Sequence, residues 1–317
     1  MNLEQKATPS TGLVVAAFAS IYLIWGSTYL VIRFAIETMP PFFMFGSRCV
    51  AAGVILYLLA LVKGARPPTL RQWGSASLVG FLLLLGGSAT IAWAEKLVPS
   101  SIAALIVAAM PLWLLLFDWK ASRPSGRTLL GLGIGFAGVG LLVVNGRGYE
   151  NEPLKIFPVF MCVIGTVSWA WGSIVSRTAD KPASPFMTVA AQMIAGGLIT
   201  LLGGVALGEG NQFSWAEISM RSILAWVYLL VFGSLIAFTA YIWLLTVSTP
   251  AKVSTYAFVN PPIAVLLGCT VGSEPFSGNM LVATVMIVVA VALIIHQGKP
   301  KESAVKSGTL KTAEEVA

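Results

Sequence analysis

The sequence predicts an all-α integral membrane protein, with ten transmembrane helices arranged as two inverted five-helix repeats. Three observations carry that expectation. Of 317 residues, 57% are hydrophobic and only 10% are charged, whereas a soluble domain carries about 25% charged residues to solvate its surface. Ten apolar runs are each long enough to cross about 30 Å of hydrocarbon as a helix of about 20 residues. Short motifs of the first half also return, in the same order, in the second.

The composition sets aside whole classes of function. Twenty basic and 13 acidic residues cannot cover a water-facing globule of this size. Soluble enzymes, nucleic-acid binders and disordered chains are therefore disfavoured. The net charge of +7 does not reverse this, because the basic residues are scattered between apolar runs, as in a polytopic membrane protein. Cys49, Cys162 and Cys269 lie in separate apolar stretches and support neither a disulfide framework nor a Cys-type metal site. The single histidine, His296, ends the last run and reads as an interfacial side chain. No metal or cofactor is expected. The first apolar run, from near Gly12, has no small-residue cleavage pattern after it and reads as a span.

Taken in order, residues 1–11 form an N-terminal tail and residues 12–146 the first repeat. Its spans are 12–36, holding Trp25-Gly26-Ser27; 42–62, opened by Pro41-Phe42; 73–94, with Gly87-Ser88; 98–119, interrupted by Pro111; and 127–146, rich in glycine. A polar linker, 147–155, leads to the second repeat, 156–296. Its spans are 156–178, 185–207, 221–246, 249–272 and 277–296, with a polar connection at 208–220. Residues 297–317 form a C-terminal tail. Lipid offers the backbone no hydrogen-bond partners, so these runs are expected to be helices. Short connections make consecutive helices antiparallel neighbours.

With the N-terminus inside, 14 of the 20 Lys and Arg fall on the cytoplasmic face, among them Lys63, Arg71, Arg123, Arg177 and Lys252. Only Lys96, Arg147, Lys155 and Arg221 fall on the other, while Arg33 and Arg48 lie within apolar runs. The positive-inside rule then places both termini in the cytoplasm.

The internal repeat is the most informative feature. Trp25-Gly26-Ser27 recurs as Trp171-Gly172-Ser173, and Gly87-Ser88 as Gly233-Ser234, both at an offset of 146. Pro41-Phe42 recurs as Pro185-Phe186, a register that pairs Arg48 with Gln192, and Pro111 pairs with Pro261. Each repeat has five spans, an odd number, so the second lies upside-down relative to the first. The Trp-Gly-Ser motif, the Pro-Phe and Arg48 of the second span, and Ser234, Pro250-Ala251-Lys252, Asn260-Pro261, Gly268 and Glu274-Pro275 carry a resemblance. Together they resemble the EamA-type, ten-helix members of the drug/metabolite transporter superfamily, over about residues 15–296. The resemblance implies transport of small metabolites, often export, from a bacterial inner membrane. One departure stands out: Arg123-Pro124 occupies the place of the Gly-Glu usual in the family's first half.

Helix-interrupting prolines at matching places in two repeats point to a transport site. Pro111 and Pro261 both fall near the middle third of the bilayer, and each frees a carbonyl one turn back. Asn260 stands beside the second break. Trp25, Thr28 and Tyr29 share one face of the first span, and Ser168 and Trp171 repeat that spacing in the sixth. Thr90 and Trp93, then Tyr241 and Tyr256, continue the theme in spans 3, 8 and 9. Indole and phenol rings offer an apolar face with one polar handle, which suits amphipathic solutes, although both are also enriched at bilayer interfaces. Arg48 lies roughly 10 Å into its span, and a charge at that depth marks a functional candidate. Two roles are open to it: attracting a substrate carboxylate or phosphate, or bonding freed carbonyls of a neighbouring helix. Arg33, a turn from its span end, is expected to snorkel.

Spans 1, 3, 4, 6, 8 and 9 are expected to surround a central cavity. Span 5, with Gly131 and Gly135 as a small-xxx-small pair, is expected to pack on span 10 as scaffold. A monomer is favoured over dimerisation through that face. No Asp or Glu lies in the middle of any span; Glu37, Asp118, Glu95 and Glu274 sit at ends. Proton relays usually use buried carboxylates or His, and no ATP-binding Gly-rich loop with Lys is present. The expected function is therefore a secondary transporter or facilitator of small organic metabolites, such as amino acids or related amphipathic compounds. Proton-coupled drug or multidrug efflux is the alternative. An intramembrane enzyme lacks its cluster of acid, base or metal-binding groups, and a sensor lacks a signalling domain.

Overall fold

In the computed structural model, the described residues are 10–118, 125–146, 148, 152–212, 214–248, 253 and 255–295. Arg123, Lys252, His296 and the tail from Lys299 lie outside them. Ten helical spans follow one another: α1 (Thr11–Ala35), α2 (Pro41–Val62), α3 (Leu70–Ala94), α4 (Ser100–Phe117), α5 (Gly126–Asn145), α6 (Ile156–Thr178) and α7 (Pro185–Ala206). Next come α8, built from Met220–Tyr228, Leu229–Ile236 and Ala237–Val247, then α9 (Tyr256–Thr270) and α10 (Gly278–Ile295). Eight are long and apolar enough to cross a membrane, and the last two are shorter apolar helices.

The ends of the spans are set by local chemistry. Ser10, Thr69, Ser125, Ser184 and Ser219 each accept a backbone N–H of the first turn, satisfying a donor that has no intrahelical partner. Pro41 and Pro185 open α2 and α7, where a missing N–H costs nothing. The same two helices are followed by Gly64 and Gly208, at φ +80 and +81, a left-handed turn that glycine adopts without penalty.

One span is interrupted as expected from proline, one expected interruption is not seen, and two spans are irregular for another reason. At Ala109 the chain turns, splitting α4 into Ser100–Ala108 and Met110–Phe117 around Pro111. Pro261 and Pro262, by contrast, are carried inside a continuous α9. Spans α3 and α8 each hold a π-helical stretch, Phe81–Ala89 and Leu229–Ile236. These coincide with the repeated Gly-Ser pairs, a feature that apolar periodicity does not reveal. Such stretches leave carbonyls open to side chains and are frequent at functional sites.

Packing follows a pseudo-twofold relation between the repeats. Helices α2, α4 and α5 pack on their own counterparts α7, α9 and α10, and α1 packs on α8 and α9 as α6 packs on α3 and α4. Small residues allow the closest approaches. A Cβ on Gly196 would stand 2.7 Å from the backbone of Gly80, and one on Gly131 would stand 3.0 Å from the carbonyl of Ala290. The α5–α10 contact is thus internal and lies beside the rest of the bundle. For orientation, the faces are called Lys/Arg-rich (the end of α1 near Ser10) and Lys/Arg-poor (its end near Ala35).

Candidate functional site

The interior of the bundle brings together part of the expected set. The Trp25 indole, on α1, lies 5.4 Å from the Tyr241 ring of α8 and 5.1 Å edge-on from the Tyr256 ring of α9. Tyr241 and Tyr256 are themselves 6.1 Å apart in a T-shaped pair. Trp25 Nε1 donates to the Gly233 carbonyl in the π-helical stretch of α8, at 3.3 Å. Thr28 turns its hydroxyl back to the Trp25 carbonyl at 2.7 Å. Asn260 and Pro261 are buried beneath these rings. With its amide nitrogen facing inward, Asn260 donates to the carbonyls of Tyr22 and Tyr256, 3.2 Å each, joining α9 to α1. Three aromatic faces and a few polar atoms converge here, the composition of a small-molecule site.

The other expected residues lie elsewhere. Ser168 donates to the Leu82 carbonyl at 2.8 Å, tying α6 to the π-helical stretch of α3. Trp171, the counterpart of Trp25, is 48% exposed and meets Phe117 edge-on at 5.3 Å. It does not join the Trp25 cluster. Thr90 uses its hydroxyl on the Leu85 carbonyl of its own helix. Trp93 wedges between two buried clusters and meets Phe157, and Tyr29 packs against the first of these clusters. Pro111 marks the α4 break. Arg48 is 8% exposed, its guanidinium 4.2 Å from the centre of the Phe45 ring.

Several interactions were not anticipated. Tyr22 hydroxyl meets Thr255 Oγ1 at 2.5 Å; Tyr22 stands three residues before Trp25, so extending the helical spacing one turn would have found it. Ser27 meets the Tyr228 hydroxyl at 2.8 Å. The largest surprise is at the Lys/Arg-poor face. Glu274 is buried, and its carboxylate accepts from Ser100 N–H (2.8 Å), Ser100 hydroxyl (2.7 Å) and Ser101 N–H (2.9 Å). It thereby caps α4, where the helix dipole favours a negative charge. Arg33 does not snorkel; it turns inward to Glu274 at 3.2 Å and to the Gly272 carbonyl at 2.7 Å. Glu209 caps α2 in the same way, accepting from Phe42 and Phe43 N–H. Glu95, at the end of α3, is fully buried. Burial, reinforced by the Glu274 carboxylate and opposed by Arg33, pushes its carboxyl well above the ordinary range.

At this face the chain is sealed. Every residue from Ser100 to Ala108 is buried. At the Lys/Arg-rich face the ties are exposed ion pairs, Arg177–Asp118 and Arg71–Asp180. A pocket of about 290 Å³ lies away from the aromatic cluster, between Asn145, Gly146, Pro153 and Ser277. A shallow crevice on the Lys/Arg-rich face is lined by Ser75, Asp180, Thr188 and Gln192.

Ten spans in two inverted repeats, with a proline-broken helix and a polar aromatic cluster inside, define an integral membrane transporter. The chain belongs to the EamA-like transporter family, whose model matches residues 11–144 and 156–296. It is 38% identical over 281 residues to the uncharacterized inner membrane transporter YedA of Escherichia coli K12, covering 88% of this chain and 89% of that one. It is 24% identical to the uncharacterized transporter YvbV of Bacillus subtilis, over 95% and 97% of the two chains. It is also 23% identical to the protein PecM of Dickeya dadantii, over 86% and 88%. A solved crystal structure shares the fold, with a TM-score of 0.62 and 21% identity over 92% of this chain and 100% of that one.

Proposed function

We propose that this protein is a secondary transporter of small organic metabolites, exporting amino acids or related amphipathic compounds across the bacterial inner membrane by alternating access. The observation that carries the reading is the Trp25–Tyr241–Tyr256 cluster over Asn260, set between spans of both repeats. The Lys/Arg-rich face is cytoplasmic by the positive-inside rule. In that orientation the buried seal of Glu274, Arg33 and Ser100 closes the outer side. The inner side is tied by exposed pairs, each worth about 1 kcal/mol or less. Solute gradients suffice to drive such a cycle. The test is counterflow in proteoliposomes with a panel of labelled amino acids and aromatic amines. Saturable exchange of at least one solute, lost in Trp25→Ala protein of normal membrane abundance, is the expected result. No exchange of any solute sinks the reading.

A second reading, proton-coupled efflux, is favoured by one observation: Glu95 is a fully buried carboxyl beside the seal. It predicts that an imposed pH gradient alone concentrates solute, and that Glu95→Gln abolishes this. The first reading expects no such accumulation.

A further inference from the structure

Among the described residues, no acidic side chain forms an ion pair with Arg48. It sits in the second turn of α2, roughly 10 Å from the Lys/Arg-poor end, and is 8% exposed. Its Nε has no hydrogen-bond partner. The buried acids are engaged elsewhere: Glu274 with Arg33 and α4, Glu209 with the start of α2, and Glu95 beside Glu274. An aromatic face covers one side of the guanidinium. Phe45 lies under it, and Met44, Phe45 and Cys49 belong to one buried cluster with Ala89, Ala92 and Leu229.

Two ordinary explanations of an intramembrane arginine do not fit. Snorkelling to the headgroups requires exposure near a span end, which Arg48 lacks. A structural arginine stapling freed carbonyls would spend its five donors on backbone oxygens, yet no such bond is made among the described residues. A single cation–π contact offsets only part of the desolvation of a full charge. The deficit is that of a receptor for an anion.

Resting on the transporter reading above, we infer that Arg48 is the anion subsite of the transport site, and that the transported solute carries a carboxylate. A carboxylate matches the planar fork of the guanidinium with two parallel hydrogen bonds. Combined with the aromatic cluster, this specifies a solute with an apolar or aromatic body and an acidic head. The repeat supplies a contrast. Gln192, the counterpart of Arg48, lines the crevice on the Lys/Arg-rich face and is neutral. A solute thus meets a neutral amide in one half and a desolvated cation in the other.

The experiment uses purified full-length protein and two measurements. The first is thermal stabilisation in detergent by phenylalanine, phenylacetate, phenylalaninamide and phenethylamine. The second is counterflow of the same four solutes in proteoliposomes. The wild type is expected to favour the two carboxylates by at least about tenfold, the scale of one charge-assisted hydrogen-bond pair. Arg48→Gln is expected to erase that preference, with the loss falling at least about tenfold more heavily on the two carboxylates than on the amide and the amine. Arg48→Lys, which keeps the charge without the fork, is expected to retain part of it. Stabilisation without preference for carboxylates, or an equal loss for all four solutes in Arg48→Gln, overturns the anion subsite. Carboxylate-selective stabilisation without counterflow leaves the subsite standing and overturns the transporter reading instead.

Discussion

Trp25 and Trp171 occupy equivalent positions of the two repeats, in identical Trp-Gly-Ser motifs, and their surroundings could hardly differ more. Trp25 is turned inward, bonded to Gly233 and ringed by Tyr241 and Tyr256. Trp171 is half exposed beside Phe117. The following glycines diverge too: Gly26 is pressed against Ile263 of α9, while Gly172 is pressed against Leu82 and Leu83 of α3. Helices α1 and α6 are therefore rotated differently against their neighbours. An inverted repeat whose halves adopt different conformations can present one central site to one face at a time, and exchanging the two conformations presents it to the other.

The sequence contains the reasons for the difference. Gly80 and Gly196 let α3 and α7 touch backbone to backbone. At the related crossing of α2 and α8 stand Ala52 and Trp226, and the Trp226 indole donates to Ser47 at 3.1 Å. One crossing is closed by glycine; the other is propped by tryptophan. The seal is equally one-sided. The repeat places Ala179 opposite Arg33 and Pro124 opposite Glu274, so the two equivalent positions on the other face carry no charge.

The largest expected effect comes from the tryptophans. Trp25→Ala removes two ring contacts and a hydrogen bond, and a buried aromatic anchor of this kind is worth about 2 kcal/mol or more, roughly thirtyfold in solute binding. Trp171→Ala is expected to change counterflow by no more than about threefold, as for a partly exposed contact. Equal losses would mean that the two indoles exchange roles during the cycle, and the static contrast would not reflect function.

Next in size is the latch. Ser101 is fully buried behind Glu274, so a cysteine placed there is expected to label slowly from the Lys/Arg-poor face. Glu274→Gln removes the ion pair and one charged acceptor, and labelling is expected to rise roughly tenfold as the sealed state loses population. Asp118→Asn, at the exposed pair with Arg177, is expected to change labelling less than about twofold. An equal response to both substitutions would remove the asymmetry of the two faces.

The smallest effects test the crossings. Gly196→Ala drives a methyl into the Gly80 backbone and is expected to lower stability by about 1–3 kcal/mol, seen as a lower unfolding temperature. Gly133→Ala has open space around it and is expected to be neutral or stabilising by up to about 1 kcal/mol. A benign Gly196→Ala would show that the α3–α7 contact is looser than its geometry.

Much of this molecule was determined by its sequence alone. Ten spans, their order and the five-helix repeat follow from apolar runs and paired motifs, because a helix in lipid satisfies its own backbone and needs no distant partner to declare itself. Trp25, Tyr241 and Tyr256 were legible as candidates in the sequence, and their rings do meet. What only the tertiary structure decided is which side each residue faces and what it meets there. Glu95 and Glu274 read as interfacial because they stand at span ends, yet both are buried, and Glu274 is enclosed by the start of α4. Trp171 reads like Trp25, yet it stands half exposed against Phe117 and apart from the Trp25 cluster. Near-identical motifs cannot say which of two conformations each repeat takes. That choice is set by contacts between helices far apart in the chain, where a glycine, a tryptophan or one ion pair tips the balance.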